Sequence, residues 1–166
     1  MTTETLAWDR KETIGTTPRR AMRLSYDPIE LEEVDPSFLD AAGVKQGMFI
    51  EAEGDACAFR SKTGDLVGYG LLRPYPEPIT HVAEASFVLG DSAHEYIPDL
   101  YYVIRDAILM EGTRLGYKRI QSHVFAGKKN DKYFAERLGF VSEGLLERYG
   151  PGGRSMYIMI LEGFDG

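Results

Sequence analysis

His123 and Glu84 are the residues of this chain best suited to moving a proton. A histidine titrates close to neutral pH, so one held in a folded core can take up and return a proton under ordinary conditions. His123 lies in the run RIQSHV (Arg119 to Val124), and Glu84 is a carboxylate among apolar neighbours in AEASFVL (Ala83 to Leu89). Both runs read as strands, so Ser122 and His123 point to opposite faces and only one of the two can face a given cleft. The structural reading of the same pair is a carboxylate matched to a neighbouring arginine and a histidine satisfied on the sheet surface. Lys128, Lys129 and Lys132 could attract a phosphate, although lysines in a loop beside a helix more commonly form solvated surface. Asp91, Glu95 and Asp99 gather where a long helix begins, where carboxylates complement the helix dipole by about 0.3–1 kcal/mol each. Glu143 and Arg148 read as ion pairing on a strand surface.

The elements that must position these residues follow from periodicity and punctuation. His81 to Gly90 is apolar enough for a strand covered on both faces. Pro98 marks the first turn of a helix reaching about Leu115, with Ile97, Leu100, Tyr101, Ile104, Ile108 and Leu115 on one face and Gly116 as its stop. Tyr117 to Phe125 is a strand, Ala126 to Lys129 a polar loop and Asn130 to Leu138 a short helix. Gly139 occupies the left-handed position at that helix end, and Phe140 re-enters the core. Two strands close the chain, Val141 to Tyr149 and Arg154 to Leu161, turned by Gly150-Pro151-Gly152-Gly153. Met156, Ile158 and Ile160 are expected to face the long helix.

Upstream, Ala21 to Tyr26 alternates as a first strand that Pro28 stops from continuing centrally. Asp35-Pro36-Ser37 opens a short helix through Ala42, with Asp35 as cap and Pro36 at the first helical position. Met48 to Arg60, interrupted at Gly54, pairs with Leu66 to Leu72 as a hairpin through Lys62-Thr63-Gly64-Asp65. Arg73 to Pro78, with three prolines, reads as a stiff loop rather than strand. The sum is an α/β chain with a mixed sheet of about seven strands, antiparallel at the edges with the fourth and fifth parallel, flanked by helices. Residues 1–20 read as an arm, with Trp8 folded back on the domain or anchoring a partner, and residues 21–166 as one domain.

At 166 residues and 43% hydrophobic, the chain suits one core. A net charge of −7 argues against general affinity for nucleic acid or an anionic membrane surface. Cys57 is the single cysteine, which leaves no internal disulfide and no metal-site spacing and points to a reducing compartment. No apolar run approaches the roughly 20 residues of a membrane span, and the N-terminus does not read as a signal peptide. A soluble, cytoplasmic protein is expected.

In the order AEASFVL, long helix, RIQSHV, ERLGF (Glu136 to Phe140), EGLLERY (Glu143 to Tyr149) and SMYIMIL (Ser155 to Leu161), the chain resembles the GCN5-related N-acetyltransferases (GNAT). The likeness is nearest to the branch that acetylates ribosomal-protein N-termini. It implies a splayed central parallel pair with the pantetheine arm of acetyl-CoA in the wedge, held by the backbone of Phe87, Val88 and Leu89. It also implies an acetyl group passed to an amine, on a small molecule or a protein, with Glu84 or His123 as base through water. Three positions depart from the family pattern. The glycine-rich pyrophosphate cradle falls on Ala93 to Pro98 (AHEYIP), which has no glycine, so the cradle is degenerate. Lys128 stands where the family keeps a pantetheine-binding Asn, with Asn130 two residues later. Ala135 stands where many members carry a Tyr that protonates the leaving thiolate, with Tyr133 the nearby candidate. A looser likeness, through Leu146 to Gly150 ahead of the glycine-rich turn, is to GNAT-like internal virion proteins of T7-like podophages. It implies an inactive fold used in assembly, partnered through the N-terminal arm, in a virion.

Overall fold

The structure is a computed structural model and describes residues 22–44 and 53–164. The expected arm with Trp8, residue 21 of the expected first strand, and the start of the run from Met48 lie outside the described residues. Seven strands form one sheet in the order β1-β2-β3-β4-β5-β7-β6. They are β1 (Leu24–Ile29), β2 (Asp55–Ser61), β3 (Leu66–Pro74), β4 (Val82–Leu89), β5 (Arg119–Phe125), β6 (Phe140–Leu146) and β7 (Met156–Leu161). Only β4 and β5 run parallel, as the sequence implied. The helices are α1 (Pro36–Ala41), α2 (Asp99–Arg114) and α3 (Lys129–Arg137).

The local chemistry of these elements is visible in their contacts. Asp35 caps α1 by accepting from the backbone N–H of Ser37 at 3.0 Å. The β2–β3 turn closes through Ser61 N–H to the Asp65 carbonyl at 2.9 Å and Asp65 N–H to Ser61 Oγ at 3.1 Å. Gly139 follows α3 with φ +104°, and a Cβ there would strike the Arg105 guanidinium. Arg105 donates from α2 to the Leu138 carbonyl, tying the end of α3 to the long helix.

Several boundaries differ from the sequence reading by a few residues, among them the end of β6 at Leu146, and two of the differences have a clear cause. The first strand starts at Leu24 and runs through Pro28 to Ile29, because β1 is an edge strand and has a neighbour on one side only. Arg73 and Pro74 belong to β3, paired with Glu84 and Ala83. The β2–β3 ladder has already ended at Asp55–Leu72, so β3 is locally an edge there and tolerates proline.

Strand alternation sorts the core into two clusters. Cys57, Phe59, Ala83, Ala85, Ile120, Val124, Met159 and Leu161 pack with Leu100, Ile104, Ala107 and Ile108 of α2 and with Ala135 and Leu138. Ala56, Ala58, Tyr69, Leu71 and Val88 pack on the other face with Leu39 of α1. In β7 the residues facing α2 are therefore Met159 and Leu161, and the expectation for Met156, Ile158 and Ile160 is off by one position. Glu84, His123 and Arg73 share the face of Tyr69 and Leu71 by the same alternation.

Two outcomes follow from this packing. Gly68→Ala would place its Cβ 2.6 Å from the Val88 carbonyl oxygen and 2.8 Å from Leu89 Cδ2. It should destabilise by about 1–3 kcal/mol in urea titration, whereas Gly127→Ala, with nothing within 4 Å, should be near neutral. Burial first, and then the Glu111 carboxylate, push the Cys57 thiol from 9.0 up to about 12. A raised value contributes stability that is complete below pH 9 and disappears as pH climbs to about 12. Unfolding free energy should fall across that interval, and by less in Cys57→Ala.

Candidate active site

The parallel ladder between β4 and β5 is three residue pairs long: Val82–Arg119, Ala83–Ile120 and Glu84–Gln121. Beyond it each strand is held only from its outer side, β4 by β3 as far as Leu89 and β5 by β7 as far as Phe125. Ser122 Oγ donates to the Ala85 carbonyl at 3.0 Å and takes the place of the next ladder bond. Past that point the strands leave a slot of about 530 Å³, floored by Phe134, Ala135 and Leu138 and walled by Phe87, Leu89, Val124 and Asn130. With the Ala85 carbonyl turned to β5, strand alternation turns the backbone groups of Phe87 and Leu89 the same way, into the slot.

Glu84 and His123 close the inner end of the slot. Their side chains are 12% and 13% exposed, with His123 Nδ1 2.9 Å from Glu84 Oε2. The same Oε2 accepts from the His123 backbone N–H at 3.1 Å, and Oε1 accepts from the Tyr75 hydroxyl at 2.7 Å. A donor sequence fixes these protons. Arg119 can only donate; its Nε donates to Gln121 Oε1 at 2.8 Å, which turns the Gln121 amide nitrogen to the Tyr75 oxygen, also at 2.8 Å. Tyr75, already accepting from Gln121, gives its single proton to Glu84. Burial first, and then the hydrogen bond to Glu84, push the Tyr75 phenol up to about 12, so that proton stays in place. An ionised Glu84 can only accept, so Nδ1–H of His123 is the donor. The lone pair of a neutral His123 therefore lies on Nε2. Arg119 is itself anchored by Glu143, whose carboxyl its guanidinium holds below the usual range.

A second cavity, of about 450 Å³, reaches Glu84 and His123 from another side and is lined by Arg73, Pro74, Tyr75, Pro76, Tyr149 and Met156. Tyr149 stacks on the His123 ring at 5.6 Å and 19°. The β6–β7 connection carries it there, where Arg148 takes φ +56° and Gly150 N–H bonds the Arg154 carbonyl at 2.8 Å. Tyr75, Arg73 and Tyr149 were not site candidates in the sequence reading. Continuing the β3–β4 hairpin register past Leu72 would have set Arg73 against Glu84.

The other sequence candidates fall as follows. Phe87, Leu89 and Asn130 line the slot, whereas Val88 packs on the α1 side. Lys128 precedes α3, exposed, with its N–H on the Phe125 carbonyl at 3.0 Å. Tyr133 is 58% exposed on α3 and does not line the slot. Lys132 belongs to the surface, 3.6 Å from Glu136 and over the Tyr157 ring. Among the described residues no group of three or more His, Cys, Asp or Glu is placed to hold a metal, and no helix is long and apolar enough to cross a membrane.

The slot fits a pantetheine arm: it is narrow, apolar at its floor and edged by strand backbone. The start of α2 does not fit the pyrophosphate that would follow. Asp99 is fully buried in the first turn of the helix and accepts from the Arg23 backbone N–H at 2.8 Å and from its Nε at 3.4 Å. The helix dipole thus already has its anion, and Asp91 and Glu95 stand exposed in the preceding turn.

No protein-family model matches the sequence, and no match to a curated protein was found. Solved structures do match. A chimera of the spermidine N-acetyltransferase SpeG from Vibrio cholerae and hSSAT aligns at 19% identity and TM-score 0.65, over 84% of this chain and 95% of that one. An IAA acetyltransferase from Bacillus cereus aligns at 14% identity and TM-score 0.64, over 83% of this chain and 98% of that one. A ribosomal-protein-S5-alanine acetyltransferase from Vibrio fischeri aligns at 11% identity and TM-score 0.66, over 89% of this chain and 98% of that one. A seven-stranded mixed sheet that parts between its parallel strands, matched by these proteins over 83–89% of the chain, gives it the fold of the GCN5-related N-acetyltransferases.

Proposed function

We propose that the chain is an N-acyltransferase that passes an acetyl group from a pantetheine thioester, such as acetyl-CoA, to an amine. The observation that carries this reading is that Glu84 and His123 line both cavities. An acyl donor lying in the slot and an amine entering past Tyr75 and Tyr149 would meet at one proton acceptor. When bound, the thioester supplies an electrophilic acyl carbon and a thiol leaving group.

The chain's own residues supply the rest. His123 accepts at Nε2 the proton that an ammonium sheds before its nitrogen can attack. Glu84 holds the ring through Nδ1–H and stabilises the imidazolium that results. Tyr75 and Gln121 keep the Glu84 carboxylate aimed, and Tyr149 covers the imidazole face. Backbone groups of Phe87 and Leu89, together with Asn130, orient the pantetheine amides. No task falls to Tyr133, which points away from the slot.

The rival reading, a chain that keeps the fold for assembly without turnover, draws its support from the acidic start of α2. Thiol release from acetyl-CoA across a panel of amines separates the two. Release supports the transferase, while no release, together with no calorimetric heat from either acetyl-CoA or acetyl-pantetheine at millimolar concentration, supports the rival.

His123→Ala should lower kcat by about 10²–10⁴-fold, with the folded circular-dichroism spectrum retained. Unchanged turnover would exclude His123 as the base. Because Asp99 already occupies the helix start, acetyl-pantetheine should replace acetyl-CoA with kcat/KM within about tenfold, a difference of about 1.4 kcal/mol. A thousandfold preference for the full nucleotide would show that the phosphates are bound after all.

A further inference from the structure

We infer that the acyl acceptor carries a carboxylate close to its amine, as amino acids do, and that Arg73 binds it. The inference rests on the transferase reading for its chemistry and on Arg73 for its selectivity.

Arg73 lies directly opposite Glu84 in the β3–β4 ladder, on the same face of the sheet, and lines the cavity through which the amine would enter. Directly opposed strand residues hold their Cβ atoms about 4.5–5.5 Å apart, so Arg73 borders the same cavity as Glu84 and the His123 it holds. Glu84 is not its partner: no hydrogen bond or ion pair joins the two, and the Glu84 carboxylate is turned to Tyr75 and His123. Nε of Arg73 is buried without a hydrogen-bond partner, and Arg73 forms no ion pair among the described residues. A buried guanidinium donor left unmatched is unfavourable unless something supplies an acceptor. Arg23, Arg114 and Arg119, by contrast, each hold a carboxylate, and Arg60 and Arg105 each hold a backbone carbonyl.

The charge of the cavity follows from this arrangement. Glu84 and Arg73 are the charged groups lining the cavity, and the Glu84 carboxylate already accepts from Tyr75 and His123, which leaves the Arg73 guanidinium to receive an anion. A polycationic amine would meet that charge on entry. An amino acid would place its carboxylate on the planar guanidinium, which recognises carboxylates with two parallel N–H donors, and its amine toward His123. The aromatic walls of Tyr75 and Tyr149 leave room for an apolar side chain.

Two measurements test this. Thiol release from acetyl-pantetheine is compared for amino acids, their carboxamides and spermidine, in wild type, Arg73→Gln and Arg73→Lys. Acids should exceed their carboxamides by about 10–100-fold in kcat/KM. Arg73→Gln should erase that ratio through KM with little change in kcat, and Arg73→Lys should restore part of it. Carboxamides or spermidine reacting as well as the acids, or an unchanged ratio in Arg73→Gln, would overturn the inference. Calorimetry with N-acetyl amino acids gives a readout independent of turnover. Binding that is lost in Arg73→Gln supports the carboxylate site even if no amine is acetylated, in which case the transferase reading alone fails. No binding to the wild type would overturn the inference whatever the turnover.

Discussion

The early end of the β4–β5 ladder is the constraint from which the rest of the site follows. A parallel pair in the middle of a sheet normally continues to the end of its shorter strand, because each unpaired backbone group in a core is unfavourable. Here pairing stops after three residues. The antiparallel partners set the stopping point: β3 holds β4 through Leu89, and β7 holds β5 through Phe125, so sheet twist carries the two strands apart. Ser122 satisfies the first orphaned carbonyl, and α3 fills the gap from below with Ala135 and Leu138. Gly139 and Arg105 fix where α3 ends, so the depth of the slot is set by contacts on the long helix.

Much of this frame was legible in the sequence. Glycines at 116 and 139 ended helices where a left-handed residue was needed, and the β-α-β order around them forced a parallel pair. Glu84 and His123, proposed here to move a proton, stood out because an acid and a histidine inside apolar strand runs are out of place. Face assignment failed in β7 for a physical reason. MYIMIL is apolar at every position, so alternation has no contrast to report, and only the partner strand decides that Met159 and Leu161 are buried. Tyr75, Arg73 and Tyr149 were missed because prolines and glycines announce turns but say nothing of what the turn carries back over the sheet.

Electrostatics separates the two halves of a donor molecule in a way that element order could not show. The segment before α2 departs from the glycine-rich pattern of the resembling family, and the structure shows what took its place. Asp99 fills the helix start, with Arg23, the residue just before the first strand, clamped over it and over the Tyr96 ring. Placing an anion there serves stability, since a carboxylate in the first turn answers the helix dipole and the Arg23 amide together. The same choice sets a negative charge where the resembling family would place a phosphate. The apolar floor of the slot, Phe134, Ala135 and Leu138, is untouched by that choice, and it is the part on which the proposed pantetheine site depends.

The proton arrangement at Glu84 shows how one permanently charged residue can set the state of another several bonds away. Arg119 never loses its charge, so the Gln121 amide has one favourable orientation. That orientation leaves Tyr75 one direction in which to donate, and the occupied carboxylate leaves His123 one nitrogen on which to keep its lone pair. Each bond is ordinary in strength, yet reversing any of them would leave a buried donor facing a donor or an acceptor facing an acceptor. The selectivity of the network lies in that penalty, of about 1–3 kcal/mol for each unmatched group. A sheet position that shields most of Glu84 and His123 from water is what makes the penalty count.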